Sequence, residues 1–172
     1  IWHCGSINPL ITTVQTINSP TWPARDEEGG TTGKGIIIGA EATTAMGAGA
    51  PGMTLTYTNT AGVASRSSFL WRAWVGTTTF PGFFCQFVLA AGDLGVKQVN
   101  SIQLSASTVS GSLALVAYRV IAAFVIAPQW NPGIDPLTGC LPKMYDGSVP
   151  FFISYGAAGT HNYSGVYMYA QG

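Results

Sequence analysis

Met53-Thr54-Leu55-Thr56-Tyr57-Thr58, followed by Asn59-Thr60-Ala61-Gly62, is the stretch that decides the fold. Met53, Leu55 and Tyr57 alternate with threonines, a period of two that sends one face to a core and the other to solvent. Asparagine and glycine in the next four residues accept the backbone angles of a turn. Residues 63–71 then return as a second strand.

Working outward, 83–90 is a further β-type run, closed by Gly92-Asp93-Leu94-Gly95 as a tight reversal. Residues 96–105 and 113–126 form the next pair, joined by the polar 105–112 connection. Residues 149–155 and 163–170 complete seven or eight strands, with Tyr163, Tyr167 and Tyr169 on one face of the last. No segment sustains a helical period, and the Val, Ile, Thr and aromatic bias favours sheet. The expected fold is therefore all-β, an antiparallel β-sandwich or jelly roll over 36–172.

Two regions depart from that pattern. Residues 1–35 carry Pro9, Pro20, Pro23, the acidic Asp26-Glu27-Glu28 and a Gly29–Gly35 run rich in glycine and threonine. Proline removes ladder donors and glycine raises backbone entropy, so an extended N-terminal arm or irregular leader is expected, of the kind that docks on neighbouring subunits. A second small-residue stretch follows at 39–52, of which 47–52 reads as loop. Residues 128–142 hold four prolines and form a long excursion. There Trp130 and Leu137 are candidate contact anchors, or cover for one end of the core.

Composition bounds function. Charged residues make up 8% of the 172, against 47% hydrophobic, where a soluble monomer carries about a quarter charged. Much of the surface is therefore expected to lie against other protein, in self-association or with partners. Seven basic residues balance seven acidic ones, which leaves no electrostatic footprint for nucleic acid or an anionic membrane. The longest apolar run, 113–127, contains Arg119 and falls short of the about 20 residues a spanning helix needs. Opening on Ile1 rather than Met points to upstream residues that were cut off or lie outside the sequence.

No constellation carries chemistry. The Gly29–Gly35 run lacks the first glycine and the final hydroxyl of a phosphate-binding loop, with Glu28 and Gly35 in those places. Gly-x-Ser-x-Gly is absent. His3 and His161 stand at opposite ends of the chain, and no Cys-x-x-Cys pair accompanies them, so neither a metal nor a cofactor is expected. The acids sit in the leader or in predicted turns, which disfavours a carboxylate pair and an enzyme generally. Asn162-Tyr163-Ser164 matches a glycosylation sequon that matters only in a secretory pathway. Cys4, Cys85 and Cys140 are an odd number without repeated spacing, read as structural thiols in a reducing compartment.

Two stretches resemble small structural proteins of tailed bacteriophages: Thr54-Leu55-Thr56-Tyr57-Thr58-Asn59-Thr60-Ala61-Gly62-Val63-Ala64-Ser65-Arg66, and Ala91-Gly92-Asp93-Leu94-Gly95-Val96-Lys97-Gln98-Val99-Asn100-Ser101-Ile102-Gln103-Leu104-Ser105. With 113–123 the resemblance covers about residues 53–123. It implies a virion protein assembled in the host cytoplasm, a capsid decoration or cement protein that binds the major capsid protein, with a trimer as the implied state. Alternatives are a neck, tail or baseplate component, or a carbohydrate- or receptor-binding β-sandwich stacking on Trp22, Trp71, Trp74, Trp130 and the final tyrosines.

Overall fold

The computed structural model describes residues 2–72, 74, 79–121, 144–151 and 153. Among them eight strands form: β1 (Trp2–Ile7), β2 (Gln15–Thr16), β3 (Ile36–Ala42), β4 (Met53–Asn59), β5 (Arg66–Leu70), β6 (Phe84–Val88), β7 (Val96–Leu104) and β8 (Leu113–Arg119). They make one open antiparallel sheet in the order β1-β8-β3-β6-β5-β4-β7-β2. The fold is all-β, and the sheet is curled.

The curl follows from residue placement. In β4, Met53, Leu55 and Tyr57 point inward and the threonines outward. β7 presents Val96, Val99, Ile102 and Leu104 to the same core at uneven spacing. Two register shifts against β4, beside Asn100 and Lys97, absorb the extra residues. Such bulges restore the inward face after each irregular step and increase local twist. From the other half of the sheet come Ile36, Ile38, Ala40 and Ala42 of β3 with Leu113, Leu115 and Ala117 of β8, all buried. Trp22 and Trp74 are the largest fully buried side chains of this core.

The halves also meet at the leading ends of β3 and β7. Lys34 bridges Gly95, and the Gly35 amide donates to the Leu94 carbonyl at 2.9 Å. Gly33, at φ +84°, lies so close to β7 that a Cβ would stand 2.1 Å from the Val96 carbonyl oxygen. Backbone there cannot retreat without breaking the junction. Gly33→Ala is therefore expected to cost about 1–3 kcal/mol, read as a lower urea midpoint at unchanged slope.

Residues 1–35, expected as an extended arm or irregular leader, contribute two strands to this body and are otherwise without strand. β1 pairs with β8 from Trp2↔Ala117 to Ile7↔Leu113, and β2 pairs with β7. The cause is apolar spacing that the prolines concealed: Trp2 and Cys4 pack on the core, and Ile7 and Trp22 are buried in it. The expected strand at 149–155 does not form at 149–151 or 153. Residues 122–126, the 128–142 excursion and 163–170 lie outside the described residues, and no described helix is long and apolar enough to cross a membrane.

Candidate functional site

Two acids that could have served chemistry are consumed by the fold. Asp93, in the reversal before β7, has a side chain only 5% exposed. It accepts hydrogen bonds from the Tyr57 hydroxyl, from Asn59 Nδ2 at 2.7 Å and from Arg66 Nε at 2.9 Å. Burial alone would raise this carboxyl, but the Tyr57, Arg66 and Asn59 donors outweigh it and hold the group down at about 2. Tyr57 is pushed upward by burial and by the same carboxylate. Its hydroxyl also accepts the Ala90 amide at 2.9 Å, so the cluster ties the 90–95 turn to the β4–β5 hairpin.

Asp26 is the second. Its buried carboxylate accepts from the amides of Glu28, Gly30 and Gly33 and from the Thr32 hydroxyl. Burial opposes its ionisation, and those four donors prevail, holding it below the usual carboxylate range. The glycine-rich run exists to wrap this carboxylate, because side-chain-free backbone lets several amides converge on one anion.

A groove of about 330 Å³ lies on the outer face of β1, β8 and β3, lined by His3, Glu41, Phe84, Val116, Phe151 and Ile153. His3 Nε2 stands 3.8 Å from Glu41 Oε2, with the His3 side chain exposed and that of Glu41 half-buried. Its aromatic wall is assembled by edge contacts of Phe84 with Tyr118 and Phe151. Among the described residues no group of three His, Cys, Asp or Glu could hold a metal. Among its described lining residues the groove offers an apolar wall and one acid–imidazole pair.

Of the candidate contact residues, Trp22 is 1% exposed and donates from Nε1 to the Val96 carbonyl at 2.6 Å. It is a core residue, because burying its indole requires the acceptor that β7 supplies. Trp74 is buried too, so neither can stack on a glycan, whereas Trp71 is exposed. Trp130, Leu137, Tyr163, Tyr167 and Tyr169 lie outside the described residues, as do His161 and Cys140. Cys4 and Cys85 form no disulfide among the described residues, and burial pushes the Cys85 thiol up.

Sequence reasoning missed the exposed apolar side chains at one end of the sheet: Leu10, Ile11, Val14, Phe80 and Val109. Leu10, Ile11 and Val14 sit in the expected arm or irregular leader, Val109 in the polar 105–112 connection, and Phe80 between two expected strands. The signal available was their apolar character inside segments with almost no charge. No family model, no curated protein and no solved structure matches this chain.

Proposed function

We propose that the chain is a self-associating structural protein of a tailed-phage virion, serving as a capsid decoration or cement protein. The observation that carries this reading is the pairing of 8% charge with large apolar side chains left exposed on a β scaffold. Such surfaces are covered by protein in working assemblies. The consumption of Asp26 and Asp93 in the fold favours a mechanical role over a chemical one.

The two stretches that carry the phage resemblance meet in the Asp93 cluster. Tyr57, Asn59 and Arg66 come from the first resembling stretch and Asp93 from the second. The two patterns thus belong to one polar unit that fixes a hairpin to a turn. The finer architecture we propose is a β-sandwich or jelly roll, supported by inward faces of β3 and β8 that share a core with those of β4 and β7.

Two measurements test the function. Sedimentation of the purified protein at micromolar concentration is expected to give a closed oligomer, with the trimer implied by the resemblance. A map of the particle is expected to place many copies on the shell. Density confined to the neck or tail transfers the protein to that station, and a monomer without density on the particle defeats the proposal.

A further inference from the structure

We propose that the outer face of β5 binds an extended, neutral, β-linked glycan, with Phe69 and Trp71 as its stacking platform. The proposal goes beyond the structural role above and does not depend on it. Phe69 and Trp71 are 63% and 62% exposed. The Trp71 amide donates to the Gln86 carbonyl at 3.0 Å, so the strand pairing of β5 with β6 runs on through Trp71. Two residues apart on one extended segment, the rings leave the same side of the sheet at a spacing of about 6.6 Å.

β5 is an interior strand, paired with β4 on one side and β6 on the other. The rings therefore stand on fixed backbone, which positions a binding group better than a loop does. Other exposed aromatic side chains are engaged within the fold: Phe80 packs edge-on against Phe83, and Phe151 against Phe84 and Tyr118. Phe69 meets no other aromatic ring among the described residues. So exposed a ring gains little burial from its own chain.

The surroundings of the rings select the ligand. Phe69 lies in a cross-strand row with Val88, Thr54 and Gln103, and the next row holds Ser67 and Thr56. Because Leu55, Ser68, Leu70, Ile102 and Leu104 are buried, these alternate positions face outward. None of them is charged, so the face attracts neither an anionic nor a cationic ligand. Hydroxyls and an amide beside aromatic rings offer donors and acceptors next to a flat apolar surface. Gln103 is held in place by donating from Nε2 to the Thr12 carbonyl at 3.2 Å.

A sugar ring has the matching two-sided chemistry: axial C–H groups on its faces for an aromatic ring, and hydroxyls round its rim for threonine, serine and glutamine. An open sheet face does not enclose a small molecule, so a chain laid along the strand fits it better than a single sugar. Equatorially linked pyranoses run straight and present one ring after another, as Phe69 and Trp71 do, whereas an α-1,4 chain coils away from a straight strand. A second protein copy fits worse. Two aromatic side chains bury at most about 300–500 Å², against about 800 Å² per partner in a standard interface, and the hydroxyls around them are not further apolar anchors.

The test is isothermal titration calorimetry of the full chain with cellohexaose and chitohexaose, and with maltohexaose as the coiled control. Trp71→Ala, Phe69→Thr and Phe69→Tyr are compared with wild type, and Phe80→Ala serves as an exposed aromatic in a loop. All four side chains are exposed, so melting temperatures are expected to stay within about 2 °C of wild type. Wild type is expected to bind at least one of the β-linked hexasaccharides. Trp71→Ala and Phe69→Thr are each expected to weaken that binding by about tenfold, while Phe69→Tyr, which keeps the ring, and Phe80→Ala retain it. A wild type that binds neither β-linked hexasaccharide overturns the proposal, as does binding that survives both ring removals or prefers maltohexaose. An oligomer that Phe69→Thr dissociates, in a chain that binds no glycan, assigns the face to a second copy and overturns the glycan site while leaving self-association standing.

Discussion

A chain shortened by residues 1–22 is expected not to fold, giving insoluble protein or a circular dichroism spectrum without a cooperative melt. The truncation removes β1, whose pairing covers one side of β8, and β2, which covers the outer side of β7. It also removes Trp22, which is 1% exposed and hydrogen-bonded to Val96. Truncating a buried tryptophan alone costs about 3–5 kcal/mol. Domain stability is only about 5–15 kcal/mol, so loss of the indole together with two strands exhausts it. Trp22→Ala in the full chain is the graded version, expected to fold with a markedly lower melting temperature. A truncated protein that still melts cooperatively near the wild-type temperature would show that 1–22 is an accessory arm after all.

That expectation reverses what the leader's composition suggests, and the reversal has a physical cause. Prolines at 9, 20 and 23 rule out regular structure only at their own positions, and Trp2–Ile7 precedes them all. Its alternation of Trp2 and Cys4 inward with His3 and Gly5 outward is diluted by glycine and histidine. β3 was hidden differently. Gly39 and small alanines look like loop, yet Gly39 is tolerated in mid-strand because the Phe84 ring lies across it, a contact no local pattern announces. β4 and β7 were legible because burial on one face writes alternation into sequence. The acids were the least legible. Asp26 looked solvated because its donors lie in backbone amides, and Asp93 looked like a turn residue because its partners lie 27 to 36 positions away. The exposed apolar loop tips were written in the sequence but read only as connections, since exposure is decided by the fold.

Asp93→Ala is expected to destabilise the protein by about 2–4 kcal/mol near neutral pH, toward the lower part of the range for a broken buried pair because Arg66 can rehydrate. For a chain of this size that is a fall in melting temperature of roughly 4–16 °C. Three donors lose their acceptor at once, and the Tyr57 hydroxyl that also receives the Ala90 amide loses its anchor. The sign of the acid dependence follows from the direction of the shift. The folded carboxyl sits at about 2, below its ordinary 3.8, so its contribution is fully present above the unfolded value. It is lost as pH falls from about 4 toward about 2. Asp26 is shifted the same way, so wild-type stability should fall in acid through both groups. The contrast between wild type and Asp93→Asn isolates one of them: their melting temperatures should differ most near neutral pH and converge as pH falls toward about 2. A gap that stays constant across that window would mean that Asp93 acts through shape and neutral hydrogen bonds rather than charge, and no gap at any pH would remove the cluster as the anchor of the 90–95 turn.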